Sequence, residues 1–212
     1  PHWPRPGRVA IASQSGAVGT YCYTLLADRG CGISHLVTTG NEADVDVAAC
    51  IAWLAGDPAT EVILAYLEGC RDGARLRAAL RLAAERGKRV VAMKVGVSEQ
   101  GAAATASHTG TLAGSDAGYR AVFEEAGVWR AASLSEAADV AAACAAGALP
   151  RGRRLGVVTV SGGAGAFLAD AAAEAGLELP ALPAAAQAEI RAMLPFAAPR
   201  NPVDATAQVA ND

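Results

Sequence analysis

Aromatic side chains are scarce in this chain: Phe, Trp and Tyr together make up 5% of 212 residues, although 52% are hydrophobic. The interior must therefore be built mainly from Ala, Val, Leu and Ile, which favours thin, close layers of helix on sheet. The shortage also counts against an aromatic platform for a flavin. No basic run has the density that nucleic acid demands, and the formal net charge is −3, so that partner is excluded. No apolar run is long enough to span a bilayer, and Pro1 to Pro6 lacks a signal-peptide pattern, so no membrane association is expected. PHWPRPG reads instead as a linker, as if cut from a longer polypeptide. The five cysteines, Cys22, Cys31, Cys50, Cys70 and Cys144, form an odd set without CxxC or metal-type spacing. They are expected to be reduced thiols on buried helix or strand positions of a cytoplasmic protein, with no metal bound. Also missing are a GxGxxG dinucleotide turn, a GxxxxGK phosphate loop and a GxSxG nucleophile elbow, the last of which argues against an α/β-hydrolase.

What is present is a repeated order of apolar strand, glycine turn and amphipathic helix. VAIAS (Val9 to Ser13) has the length of a buried strand, and QSGAVG then opens a helix running to Asp28. Ile33 to Gly40, Glu61 to Gly69 and Arg89 to Gly96 are the next strand candidates. Helices are predicted over Val47 to Leu54, Asp72 to Arg86 and Ala117 to Ala126, the last stopping at Gly127. Arg75, Arg77, Arg81 and Arg86 fall on the wet face of their helix. Ser133 to Glu136 is a capping-box pattern opening a helix to about Ala146. Leu149-Pro150-Arg151-Gly152 marks an internal boundary, after which LGVVTVSGGAGAFLADAAAEAG restarts the pattern, followed by a helix over Ala184 to Leu194 and the segment Asn201-Pro202-Val203-Asp204. The expected architecture is α/β with parallel sheets and right-handed crossovers, one domain over 1–149 and a second, incomplete-looking α/β unit over 150–212.

In such sheets ligand sites gather at the carboxyl ends of the strands. Four unusual segments fall there: Ser13-Gln14-Ser15-Gly16, Gly40-Asn41-Glu42, Glu68-Gly69, and the stretch Ala102 to Asp116, which is nearly all small residues around His108. Small neighbours leave an imidazole reachable and the backbone free, so this stretch reads as a catalytic loop; the alternative is that His108 only caps the helix starting near Ser115. Ser13, Gln14, Ser15, Gly16 and Ala17 follow a strand and begin a helix, as do the residues from Ser161 through Gly162, Gly163, Ala164 and Gly165 to Ala166. Free amides and the helix dipole make each turn a ready anion seat, although glycine at such turns is often purely steric. Glu68 is either an exposed glutamate or an orienter that takes the proton of one imidazole nitrogen and leaves the other as nucleophile.

The run SHTGTLAGSDAGYRAVFEEAGVWRAASLSEAADV resembles the phosphohistidine segment of NDP-forming acyl-CoA synthetases, the superfamily of succinyl-CoA synthetase and ADP-forming acetyl-CoA synthetase. The resemblance extends in order to SQSGAVG, GNEADVD, DPATEVILAYLEGCRDG, SGGAGAFLADAAAEAG and NPVD, and so covers nearly the whole chain. It implies a flavodoxin-like, succinyl-CoA-ligase-like fold and an acid–CoA ligase cycle: acyl phosphate forms, its phosphoryl group passes to a histidine, and phosphohistidine hands it to ADP or GDP. His108 matches that histidine and Glu68 the glutamate holding it, with Ser107, Thr109, Gly110 and Asn41 in support. The turns at Ser13 to Ala17 and Ser161 to Ala166 match the helix starts that face the phosphorylated ring. No permanently bound cofactor is implied; CoA, a small carboxylic acid or its acyl-CoA, and ATP or ADP with Mg are the substrates. Patterns for the family's CoA-binding and ATP-grasp domains are not in these residues, so both are expected as partners, on the same polypeptide or another subunit, with a homo-oligomer as a further expectation. Two rival readings stay open: a regulatory scaffold of the kind fused to acetyltransferases, without phosphoryl carriage, and a flavodoxin-like cofactor module.

Overall fold

Along the first strand, β1 (Pro6–Ser13), alternate residues face opposite ways, and each set meets its own layer of helices. Val9 and Ile11 pack with Cys22 and Leu26 of α1 (Gly16–Asp28) and with Ala137, Ala138 and Ala141 of α6 (Leu134–Ala145). Ala10 and Ala12 lie in the opposite layer with α2 (Val47–Gly56), α3 (Gly73–Glu85) and α5 (Asp116–Ala126). The computed structural model of the chain describes residues 5–109, 115–147, 150–207 and 209, and only the backbone of 105–109. The chain divides into one unit over 1–149 and another over 150–212.

The first unit is a five-stranded parallel sheet of order β2-β1-β3-β4-β5, with β2 (Ile33–Thr38), β3 (Val62–Leu67), β4 (Arg89–Lys94) and β5 (Trp129–Arg130). β3 is central and buried throughout, which its apolar run VILAYL requires. Its parity splits as in β1: Ile63, Ala65 and Leu67 face α2, α3 and α5, while Val62 and Leu64 face α1 and α6. Burying each Val, Leu or Ile contributes roughly 1.5–3 kcal/mol, so the doubled core dominates this unit's stability. The helices start where side chains take up their first free amides: Asp46, Asp72, Ser115 and Ser133 accept from the backbone N–H groups of Ala49, Arg75, Gly118 and Glu136. Gly127 closes α5 in the left-handed region with φ 65°. The capping box at Ser133 is modified, because the Glu136 carboxylate reaches past the cap to the Ala132 N–H (2.7 Å) and the Trp129 indole (3.0 Å).

In the second unit, β6 (Val158–Thr159) and β7 (Val203–Asp204) pair in parallel beside α7 (Gly162–Glu174) and α8 (Ala184–Met193). Asn201 pins it together, donating to the carbonyls of Leu155 (2.8 Å) and Pro180 (3.0 Å) and accepting from the Val157 N–H (3.0 Å). Val157, Ala172, Val203 and Ala205 are buried, but Phe167, Met193 and Phe196 are more than 70% exposed.

Several expectations change. The stretch from Ala102 is not a loop up to His108: α4 (Glu99–Thr109) runs through it, because alanine, the best helix former, outweighs the look of a small-residue loop. α5 is capped by Ser115, whose hydroxyl accepts from Gly118 N–H at 3.2 Å, rather than by His108. The strand expected from Leu155 onward shortens to Val158–Thr159, and β5 and β7 are strands of two residues, too short to leave a periodic trace. Cys22 and Cys50 are buried as expected, burial pushing the Cys22 thiol up to about 11, but Cys31 and Cys70 sit half-buried on turns. No helix among the described residues is long and apolar enough to cross a membrane.

Candidate functional site

Strand order 2-1-3-4-5 reverses its direction of winding between β1 and β3, and the crevice outside their carboxyl ends is where open sheets of this kind bind ligands. The turn from β1 into α1 opens there. Ser13 Oγ bridges it, donating to the Ser15 carbonyl (2.7 Å) and accepting from the Ser15 N–H (3.2 Å). Ser15 then caps α1, its hydroxyl accepting from Val18 N–H at 3.3 Å and its carbonyl from Gly19 N–H at 2.9 Å. Gly16 and Ala17 are exposed residues whose amides have no partner among the described residues, at the end of the helix that carries about half a positive charge. Gly19 is needed for packing: a Cβ there would stand 3.1 Å from both Ser13 Cβ and Thr38 Cγ2.

Gln14 does not offer its side chain to an anion. It is 7% exposed and turned toward the end of β3, where its Oε1 accepts from the N–H groups of Glu68 and Gly69 and its Nε2 donates to the Gly69 carbonyl at 3.0 Å. Glu68, the first residue past β3, is half-buried, and its carboxylate accepts no hydrogen bond among the described residues. On the other side Lys94, the last residue of β4, donates from Nζ to the carbonyls of Glu68 (3.0 Å) and Val95 and lies 4.8 Å from the Tyr119 ring centre. Burial, followed by the Arg130 guanidinium, holds the Lys94 ammonium below the usual lysine range.

The turn after β2 is tied in as well. Arg71 donates to the carbonyls of Asn41 (3.1 Å) and Glu42 (3.3 Å). Glu42 is buried with φ 54°, a left-handed conformation unusual for glutamate, and its carboxylate accepts from the first amide of α2, that of Val47, at 2.8 Å. Asn41 itself is exposed, its carbonyl held and its side chain toward solvent.

Ser13, Gln14, Ser15, Gly16, Ala17, Asn41 and Glu68 thus share one carboxyl edge of the first sheet. The backbone of Ser107, His108 and Thr109 forms the last turn of α4; their side chains, and Gly110 altogether, lie outside the described residues. Gly162, Gly163, Ala164 and Gly165 open α7 in the second unit, behind a cap built by Ser161. The sequence reading missed Lys94, Arg71 and the carboxylate of Glu42. Lys94 carried a signal, a lone lysine in the apolar run RVVAMKVG, while Arg71 and Glu42 act through contacts that no spacing encodes.

A flavodoxin-type parallel sheet whose switch point holds, among the described residues, an open helix N-terminus and an unpaired carboxylate is the class this unit defines. Residues 6–144 match the family described as "Succinyl-CoA ligase like flavodoxin domain", and residues 155–210 match "Ligase-CoA domain". The chain belongs to the NDP-forming acyl-CoA synthetase family. It is 39% identical over 201 residues to acetate–CoA ligase (ADP-forming) I subunit alpha of Pyrococcus furiosus, covering 95% of this chain and 43% of that one. With 4-hydroxybutyrate–CoA ligase (ADP-forming) of Nitrosopumilus maritimus it shares 34% identity over 205 residues, 95% of this chain and 29% of that protein. Among solved structures, the dinucleotide-forming acetyl-coenzyme A synthetase 1 of Ca. Korarchaeum cryptofilum, in complex with phosphate and ADP, superposes with a TM-score of 0.85 at 37% identity, over 98% of this chain and 45% of that chain. The chain therefore spans less than half the length of these relatives.

Proposed function

We propose that these residues are the phosphoryl-carrying region of an acid–CoA ligase that forms ATP or GTP, with His108 as carrier. Glu68 accepts the proton of one imidazole nitrogen and leaves the other to attack phosphorus of an acyl phosphate. The P–N bond forms as the acyl carboxylate departs; a β-phosphate oxygen of ADP or GDP then takes the phosphoryl group and the imidazole is restored. The carried group holds roughly two negative charges, and the amides of Gly16 and Ala17 with the α1 dipole stabilise it. The turn from Ser161 to Gly165 serves as a second anion seat of the same build. CoA, a small carboxylic acid and the nucleotide with Mg are its substrates, bound with the help of a CoA-binding and an ATP-grasp domain on this or a second polypeptide. Five free thiols favour the reducing cytoplasm.

The observation that carries this reading is the Glu68 carboxylate, without a hydrogen-bond partner among the described residues, on the same carboxyl edge of the sheet as the start of α1. The test is incubation of the assembled enzyme with γ-labelled ATP or an acyl phosphate. Acid-labile, base-stable label on His108, lost in His108→Ala, is expected; an unlabelled wild-type chain in a competent assembly rejects the carrier role and leaves a regulatory scaffold.

A further inference from the structure

The geometry points to Gln14 and Lys94 as a pair of positioning residues that fix Glu68 for its work on His108, an inference that rests on the carrier reading above. Glu68 lies one residue beyond β3, where the sheet's own ladder ends. A carboxylate there would sample many directions unless its peptide were held. It is held from both sides: Gln14, from the turn after β1, takes the N–H groups of Glu68 and Gly69 and the carbonyl of Gly69, and Lys94, from the end of β4, takes the carbonyl of Glu68. Both side chains are 7% exposed. Together they extend the strand by two residues and leave the carboxylate as the one group of Glu68 without a partner among the described residues.

Lys94 is the more telling of the two. A buried ammonium with no carboxylate in contact among the described residues is costly, and methionine or leucine would fill the same volume at the end of an apolar strand. In contact its charge is met by two carbonyl dipoles and the Tyr119 ring, with the Asp116 and Glu68 carboxylates favouring it at longer range, an arrangement that does little for packing and much for the placement of Glu68. Gln14 has the same character: a serine or alanine would suit the turn into α1, whereas glutamine reaches across to the neighbouring strand.

The experiment measures initial labelling of His108 from γ-labelled ATP in the assembled enzyme, for Lys94→Met and Gln14→Met, each in the wild-type and Glu68→Gln backgrounds. Each single variant should slow labelling by about 10- to 100-fold, the range for residues that orient an acting group, with the KM for ATP changed less than about 2-fold. In the Glu68→Gln background either substitution should cost less than about a further 2-fold, because residues acting through one group are not additive. Amide exchange at Gly69 should speed up in both variants, a local readout independent of activity. Labelling at the wild-type rate, or losses that multiply in the Glu68→Gln background, would overturn the inference while leaving the carrier role standing. Absence of label in the wild-type chain would instead sink the carrier role and this inference with it. Should Lys94→Met fail to fold, Gln14→Met carries the same comparison alone.

Discussion

The turns Ser13 to Gly19 and Thr159 to Gly165 are the same object built twice. In each, a hydroxyl two residues before the cap bridges the cap residue: Ser13 to Ser15 at 2.7 and 3.2 Å, Thr159 to Ser161 at 3.2 and 3.1 Å. In each a serine caps its helix, accepting from Val18 N–H at 3.3 Å or Ala164 N–H at 3.4 Å. In each a glycine four residues past the cap lets helix and strand touch. The difference lies in the residue between hydroxyl and cap. Gln14 is buried and grips the end of β3, whereas Val160 stands 53% exposed. The capped turn is therefore a local product of Ser/Thr-x-Ser-Gly-x-x-Gly, and on the proposed reading what attaches a particular chemistry to it is one long-range side chain.

The nearby carboxylates test that division most severely. Glu68, beside the first turn, has no hydrogen-bond partner among the described residues, while Asp204, beside the second, accepts from Thr206 N–H at 2.9 Å. If Glu68 sets the tautomer of a carrier imidazole as proposed, Glu68→Gln should cut labelling of His108 by at least about 100-fold and leave the unfolding midpoint nearly unchanged. Asp204→Asn should slow labelling less than about 3-fold, since a carboxylate already engaged in its own turn is not available to a ring. Equal losses in rapid-quench labelling would make the two turns functional equals and end the contrast.

Packing comes next. Gly19→Val drives a branched side chain into the buried Ser13 and into Thr38 at the end of β2, and should cost about 1–3 kcal/mol. At Gly165 the nearest atoms are Pro202 Cβ and Thr159 Cγ2, each at 3.3 Å, in a unit with much exposed apolar surface that can yield, so Gly165→Val should cost under about 1 kcal/mol. Denaturant titration followed by tryptophan fluorescence isolates the first unit, since Trp3, Trp53 and Trp129 all belong to it. Amide exchange in α7 reads the second.

Capping should erase the difference. Ser15→Ala and Ser161→Ala each remove one side-chain bond to a helix amide of almost the same length and should each cost about 1 kcal/mol. A much larger loss at Ser15, measured by exchange in α1 against α7, would show that the first turn depends on its surroundings and is not local after all.

This division also explains what could be read from the chain. β1 to β4 and the helices between them were legible because buried parallel strands are continuous apolar runs and helix caps are single residues at fixed places. The helix starts behind Ser15 and Ser161 were legible for the same reason. The helix through His108 was not, because glycine, serine and threonine around it suggested a loop while the alanines decided otherwise. Nor was the inward turn of Gln14, which looked like one more polar atom for an anion until β3 was placed beside it. Arg71 reaching Asn41 and Glu42 crosses between turns some thirty residues apart in sequence, a contact that only the strand order creates.

The smallest effect separates binding from architecture at the mouths of the two turns. A Cβ on Gly16 would meet nothing within 4 Å, whereas one on Gly162 would lie 3.0 Å from Asp204 Oδ2. Gly16→Ala should thus leave stability within about 0.5 kcal/mol, the relief of glycine's backbone entropy offsetting little at a first helical turn. Yet its methyl group would stand beside the amides of Gly16 and Ala17, and labelling of His108 should fall by about 3-fold. Gly162→Ala should do the reverse: the Asp204 carboxylate must shift by a few tenths of an ångström against its bond to Thr206, loosening that amide's exchange, with labelling held within about 2-fold. If the two substitutions exchanged these roles, the working anion seat would be the second turn, and the clamp of Gln14 on β3 would have to be read as scaffolding for the sheet alone.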